Sequence, residues 1–329
     1  MESANQKNAK DRQLFEVPYL VWGLLALILV LAAALRFYQI ADQSFWNDEG
    51  NSARLAERSL NLIVEGAKGD IHPPGYYVVL HYWRATFGHS EAALRGLSAL
   101  CSIVLVAVTF SFCRRLFDDA FASLAAAALV AINPFQIYYA QEARMYAMLA
   151  LWAMASSWAL LAHVQSAKGS RGSRFWPLLA YVLTATAGLY THYAFPFLLL
   201  AQNLFVAFWL WSTRSRDDVG RRLGIWIIMQ LAVALLYLPW APTAWHQVTS
   251  WSAPSETQAI AEALVDSWRL LNFGQTIPTQ VVVGGLIAAG ALVFLSLFPP
   301  IDDQNQAEEA TTKKHWMSYH IRWLFPALL

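Results

Sequence analysis

The chain has 329 residues, 57% of them hydrophobic and only 14% charged, with 15 tryptophans and a formal net charge of +1; its mean hydropathy is +0.37. Soluble domains carry about 25% charged residues, so this composition excludes an ordinary water-soluble domain, while the near-neutral balance says nothing about partners, because the asymmetry of sign lies between loops; no nucleic acid is expected. It is the composition of an integral membrane protein.

A run of roughly 20 apolar residues spans a bilayer. Eight segments qualify in chain order: residues 18–37, 92–112, 120–140, 145–164, 175–190, 194–211, 223–240 and 280–298, with a ninth starting at Ile321. The first is too long for a signal-peptide core and has no small-residue cleavage site after it. The segment from Ile321 ends at Leu329, too soon to cross a bilayer. The expectation is therefore a chain truncated at that end, or a last segment that stops in the membrane. The predicted fold class is all-α: one polytopic transmembrane helix bundle of eight or nine spans, occupying residues 1–329, with amphipathic helices lying along its outer surface.

The loops set the orientation. With the N-terminus in the cytoplasm, fifteen of the 23 lysines and arginines fall in inner segments and eight, including Arg36 and Arg95, in outer ones. That is the bias of a positive-inside topology, and it turns the two long connecting segments, about 39–91 and 241–279, outward. In the first, Ala53, Ala56, Leu60, Ile63 and Val64 recur at helical spacing and predict one surface helix, with Asn47 or Asp48 as its N-cap. It ends near Gly66–Gly69, and a second apolar helix is predicted over 75–87 after the Pro73–Pro74 break. In the second, "SETQ" at Ser255–Gln258 has capping-box spacing, followed by the stripe Ile260, Leu264, Trp268 and Leu271: another surface helix, placed to cover a cleft. Cys101 and Cys113 fall within or at the end of the second span and read as small core residues.

Polar side chains near a bilayer need a reason, since a charge at mid-depth costs roughly 2.5–3.5 kcal/mol even on the mild insertion scale. Asp48, Glu49, Asp70 and His72 lie in the first outer loop, Glu142 and Arg144 in the turn after the third span, and His192 in the turn after the fifth. By the topology above, all seven sit at one face of the membrane. Taken singly, each has an ordinary role. Asp48 is a helix cap, Glu49 a first-turn acid favoured by the helix dipole, and Glu142 with Arg144 a hairpin ion pair. His72 and His192 are interface residues, as are Tyr138 and Tyr139, while Arg54 and Arg58 form a solvated face with Glu57. Taken together they suggest chemistry. An acid outside the membrane could deprotonate a hydroxyl, and an arginine at headgroup level could hold a lipid phosphate by two-point contact.

At these residues the chain resembles the GT-C superfamily of membrane glycosyltransferases, in the bacterial branch related to protein O-mannosyltransferases and the aminoarabinose lipid A transferase. The resemblance rests on "FWNDEG" at Phe45–Gly50, "HPPGYYVVLHYW" at His72–Trp83, "ALRGLSAL" at Ala93–Leu100 and "NPFQIYYAQEARMYAM" at Asn133–Met148, in that order over about residues 18–240. It implies an inverting transfer of a sugar from a polyprenyl-phosphate donor to a hydroxyl of a lipid, glycan or protein acceptor, catalysed on the outer face of the plasma membrane, with the bacterial inner membrane as the expected location. Asp48 matches the family's catalytic acid, with Glu49 its neighbour and Asp70 a second acidic position. His72, Tyr139, Glu142, Arg144, Tyr146 and His192 are the expected substrate-binding residues. Some relatives bind a divalent metal and others do not; Asp70, His72 and Glu49 could ligate one, but no spacing demands it, and no cofactor is assigned. Relatives usually have more spans, often eleven or more in all. The alternative class is a lipid-linked-sugar flippase, which would place its ionisable groups near mid-membrane within repeats. A shared outward cavity for Asp48, Asp70 and Arg144 discriminates between the two.

Overall fold

The computed structural model describes residues 2–165, 171–212, 219–250 and 260–274, and their regular secondary structure is entirely α-helical. In chain order, α1 (Glu2–Phe37) carries the first span. α2 (Asn47–Ala56), α3 (Leu60–Lys68) and α4 (Gly75–Phe87) form the first outer segment. The bundle continues with α5 (Glu91–Phe117), α6 (Ala120–Ile132), α7 (Pro134–Ala140), α8 (Tyr146–Gln165), α9 (Arg171–Thr191), α10 (Phe195–Ser212) and α11 (Val219–Tyr237). α12 (Ala241–Ser250) and α13 (Ile260–Phe273) follow.

Among the described residues, five helices are long and apolar enough to cross a membrane, and six if the bent pair α6–α7 counts as one. The expected eight or nine spans are thus only partly matched. The segment expected at 175–190 is helical as part of α9, but it contains Pro177 and is diluted by threonines and tyrosines, and it is not among the five. The segments at 280–298 and from Ile321 lie outside the described residues, as does the capping box at 255–258.

The bend between α6 and α7 is 56°, and its cause is local. Pro134 has no N–H to offer the carbonyl of Val130, so the ladder stops, and Asn133 caps the new helix by accepting from the Gln136 N–H at 2.9 Å. The freed carbonyls find a donor on another helix. Arg36, in the last turn of α1, donates to Ala131 O at 2.8 Å, Val130 O at 3.2 Å and Ser102 Oγ at 2.8 Å. This corrects the expectation that Arg36 is an outer-loop charge: it is 0% exposed. Gln141 ties the same corner from the other side, donating through Nε2 to the carbonyls of Leu35, Arg36 and Tyr38.

Within lipid, apolar burial does not drive helices together, so close packing and interhelical hydrogen bonds must. α1 meets α5 and α6 through small residues, with Ala32, Ala127 and Ala131 fully buried beside Val106 and Phe110. α8 to α11 close around Leu160, Tyr181, Phe205, Trp209 and Trp226. Gln202 sits inside that cluster, donating to Ser156 at 3.0 Å and accepting from Tyr181 at 3.1 Å. The outer helices are fixed differently: Ile63, Ala67, Tyr76, Tyr77 and Leu80 are buried against Leu94, Leu97, Met145, Met148 and Trp240, which clamps α3 and α4 onto the tops of α5 and α8.

Two further expectations change here. The single surface helix is two helices, α2 and α3, separated at Glu57–Ser59, so that Ile63 and Ala67 reach the core while Leu60 stays exposed. In the second outer segment, a helix absent from the sequence reading, α12, precedes α13. α13 lies over the bend, where Leu271 O accepts from Asn133 Nδ2 at 2.9 Å.

Candidate active site

The first turn of α2 presents two adjacent acids in opposite directions. Neither Asn47 nor Asp48 caps the helix: the cap is Trp46, in extended conformation, and Asn47, Asp48 and Glu49 follow it inside the first turn. Glu49 turns inward and is 1% exposed. Its Oε1 accepts from Arg95 Nε at 2.8 Å and from the Ala143 N–H at 2.7 Å. Its Oε2 accepts from Arg95 Nη2 at 2.7 Å and, more weakly, from the Trp46 N–H at 3.4 Å. Arg95 in turn donates to the carbonyls of Ile40, Gln43 and Ser44. This pair therefore joins the link after α1, the start of α2, α5 and the α7–α8 turn. The sequence reading counted Arg95 as an outer-loop charge; it is buried.

Asp48 turns the other way, its side chain 38% exposed. Arg144, only 5% exposed, reaches it with Nη2 at 3.5 Å from Oδ2, and Nη1 lies 3.3 Å from Asp48 O and 3.4 Å from Ser52 Oγ. All three contacts are long for hydrogen bonds, and Arg144 Nε is buried with no partner. The guanidinium is held near Asp48 but is not saturated by it.

Asp70 comes from the corner between α3 and α4. It accepts from Tyr77 Oη at 2.6 Å and from the Ile71 N–H at 2.7 Å, and His72 Nδ1 lies 3.8 Å away. Burial alone would raise its carboxyl, but His72, Tyr77 and the Ile71 N–H together hold it down at about 2. Tyr77 is pushed upward by burial and by Asp70, so it stays a neutral donor. The corner is positioned from α12: Gln247 Nε2 donates to the carbonyls of Ala67, Lys68 and Asp70, and Gln247 Oε1 accepts from Tyr193. α4 can approach this closely because Gly75 has no side chain; a Cβ there would lie 2.5 Å from Tyr190 O.

A row of aromatic rings stands beside this group. His72 and His192 stand 5.3 Å apart between ring centroids, His192 and Tyr146 5.9 Å, and Tyr146 and Tyr139 4.6 Å, with Arg144 over Tyr146 at 5.9 Å. His192 accepts the Ala194 N–H on Nδ1; burial, His72 and Arg144 depress it to about 4, so it is neutral at physiological pH. His72 is buried, and its Nδ1 has no hydrogen-bond partner.

Asp48, Asp70, His72 and Arg144 line one cavity of about 250 Å³, near the lower edge of the roughly 300–1,000 Å³ typical of small-molecule sites. Tyr139, Tyr146 and His192 are not among its lining residues, and neither are Glu49 and Glu142. The two glutamates border a second cavity of about 450 Å³ with Arg95, Tyr138 and Trp46, where burial and the neighbouring Glu49 raise the Glu142 carboxyl. Among the described residues, no three His, Cys, Asp or Glu side chains are grouped as a metal site would need. Of the three residues that could ligate a metal, Glu49 is held by Arg95, while Asp70 and His72 line the other cavity, so the three do not form a ligand set. Arg95, Ser52, Tyr77 and Gln247 are the residues the sequence reading missed.

A sequence profile of the dolichyl-phosphate-mannose-protein mannosyltransferase family matches residues 62–251. No curated protein sequence matches the chain. Among solved structures, the chain is similar to the S. cerevisiae protein O-mannosyltransferase Pmt1–Pmt2 complex bound to the sugar donor, with 15% identity and a TM-score of 0.56 over 78% of this chain and 37% of that one. It is also similar to ArnT from Cupriavidus metallidurans in the apo state, with 16% identity and a TM-score of 0.60 over 93% of this chain and 58% of that one. At such identities the likeness is one of fold, the GT-C fold, and this chain spans less than two thirds of either neighbour's length.

Proposed function

The chain belongs to the dolichyl-phosphate-mannose-protein mannosyltransferase family, and from that membership we propose that it is a membrane glycosyltransferase that moves a sugar from a polyprenyl-phosphate-linked donor to an acceptor hydroxyl with inversion. The observation that carries this reading is the convergence of Asp48, Asp70, His72 and Arg144 on one cavity. A flippase would have no use for an acid held half-open at the rim beside a phosphate-matching cation.

In this reading the acceptor oxygen bonds to the anomeric carbon as the bond from that carbon to the phosphate oxygen breaks. The acceptor proton passes to Asp48. The electron pair leaves with the phosphate, so a phosphodiester monoanion becomes a monoester dianion. Arg144 is suited to that change because its present contacts are long and one buried N–H is unused; it can exchange Asp48 for the phosphate, which stabilises the growing charge and frees Asp48 to act as base. Asp70 and His72 line the same cavity, and Tyr139, Tyr146 and His192 form a row of rings beside Arg144 and His72. Glu142 borders the adjoining cavity, and Glu49 serves by fixing the backbone that carries Asp48. The asymmetry of lysine and arginine supports an N-terminus in the cytoplasm and a site facing outward, as in a bacterial inner membrane.

Asp48→Asn tests this. The substitution removes no cap, gives up only a long, 3.5 Å contact between a half-exposed carboxylate and the buried Arg144, leaves the Asp48 backbone carbonyl in place for that guanidinium, and cannot accept a proton. Cells lacking the gene and supplied with wild type should contain a glycosylated lipid, glycan or protein, detected by mass spectrometry, whose amount falls by about 10²–10⁴-fold with Asp48→Asn although the variant is present in membranes and folded. An undiminished product would remove Asp48 from the chemistry.

A further inference from the structure

Two cations in the cavity are left unused by the transfer chemistry. Arg54 and Arg58 line the same cavity as Asp48, Asp70 and Arg144. Arg54 is in the last turn of α2 and Arg58 in the break that follows it, before α3. Their expected partner, Glu57, is instead bound to Arg84 at 3.0 Å. The cavity's own acids are also taken: Asp48 faces Arg144, and Asp70 is held by Tyr77 and the Ile71 N–H. Both arginines are exposed, and among the described residues neither has an ion-pair partner. Arg58 is nonetheless not a free surface chain: a Cβ on Gly66 would stand 3.6 Å from its Nη1 and 2.6 Å from Leu55 Cδ1, so α3 approaches this face closely enough to back it.

Position decides what such a pair can hold. In an inverting transfer the attacking hydroxyl and the leaving phosphate oxygen lie on opposite faces of one anomeric carbon, so the donor phosphate belongs within that carbon's reach of the acceptor hydroxyl, at Arg144 rather than at Arg54 and Arg58. Along α2 the rise of 1.5 Å per residue puts the Arg54 Cα about 9 Å from that of Asp48, and Arg58 follows just past the helix end, lining the same cavity. Their side chains are exposed where that of Arg144 is buried, so they stand at the open side of the cavity. We propose that Arg54 and Arg58 form an acceptor-recognition subsite, and that the acceptor is an anionic molecule carrying a carboxylate or phosphate about one sugar-length from the hydroxyl that is glycosylated. The proposal rests on the glycosyl-transfer reading of the cavity and adds the chemical class of its second substrate.

The test uses the full chain in phosphatidylcholine nanodiscs and two soluble probes that differ in one group, p-nitrophenyl β-D-glucuronide and p-nitrophenyl β-D-glucoside, titrated by calorimetry. The wild type should bind the glucuronide about tenfold more tightly, from two exposed charge-assisted contacts, and the preference should shrink with salt. In the double variant Arg54→Gln/Arg58→Gln the two probes should bind equally. The melting temperature without ligand should stay within 2 °C or so of wild type, since both side chains are exposed. Decaprenyl phosphate in the nanodisc lipid should stabilise wild type and variant alike. No preference in the wild type, or a preference that survives the double substitution, overturns the proposal. So does loss of decaprenyl phosphate stabilisation in the variant, which would give the arginines to the donor phosphate. Failure of decaprenyl phosphate to stabilise the wild type would instead sink the glycosyl-transfer reading, while the glucuronide comparison still decides whether the cavity selects anions.

Discussion

Replacing Glu49 by glutamine keeps the shape of the side chain and removes its charge, which makes it the most informative single change at this site. Each carboxylate oxygen now accepts two donors: Arg95 Nε and the Ala143 N–H on Oε1, Arg95 Nη2 and the Trp46 N–H on Oε2. Whichever way the amide turns, its NH2 group faces two N–H groups and leaves them without an acceptor. Removing one partner of a buried ion pair costs about 3–5 kcal/mol. The carbonyls of Ile40, Gln43 and Ser44 continue to solvate Arg95, which argues for the lower end, about 3 kcal/mol. At roughly 2 °C per kcal/mol for a chain of this size, the melting temperature should fall by about 6 °C, followed by intrinsic tryptophan fluorescence in detergent. A double-mutant cycle with Arg95→Gln should show the two substitutions costing less together than the sum of each alone, with a coupling on the order of 2 kcal/mol. Melting of Glu49→Gln within 2 °C or so of wild type, or strict additivity, would refute the claim that this pair fixes the first turn of α2.

Two other outcomes follow from the packing around the cavity. His192 is depressed from the ordinary histidine range to about 4, so the unfolded chain takes up its proton at a higher pH than the folded one; stability should be full above about pH 6.5 and decline as pH falls toward 4, and the portion of the decline due to this residue should vanish in His192→Gln when melting temperatures are compared across that window. Gly75→Ala would put a methyl 2.5 Å from Tyr190 O and 2.9 Å from Tyr190 C, forcing α4 off α9; a loss of about 1–3 kcal/mol is expected by thermal unfolding, whereas the same change at Gly50, with nothing within 4 Å, should be close to neutral.

The sequence reveals helices better than it reveals their interruptions. α4 has the predicted bounds because two prolines fix its start and Gly88 its end. The Glu57–Ser59 break was hidden because the apolar stripe continues across it at near-helical spacing, with no proline or glycine to interrupt. The site residues that could be read were those whose polarity is anomalous for their depth: Asp48, Asp70, His72 and Arg144 stand out against aromatic and aliphatic neighbours. Arg95 was equally anomalous inside "ALRGLSAL", but its partner lies 46 residues away, and a count of loop charges has no means of burying it. Gln247 carries no charge at all, and its targets at Ala67, Lys68 and Asp70 lie some 180 residues earlier. Such contacts exist only once the bundle has closed.

The pair Asp48–Glu49 shows why adjacency in sequence says little about shared function on a helix. Consecutive residues project about 100° apart around the axis. With Glu49 fixed inward by Arg95, Asp48 is rotated out of the protein and over the rim of the smaller cavity. The fixed residue and the available one are thus coupled by geometry alone: the same bond set that immobilises Glu49 determines where the Asp48 carboxylate stands relative to Arg144. A carboxylate that is half-open can exchange its partner for a substrate proton, while one that is buried with every oxygen occupied cannot. Two adjacent acids repel least when one is neutralised by a buried guanidinium and the other faces a cation across a water-accessible gap, and that division leaves Asp48, not Glu49, free to accept a proton at the cavity.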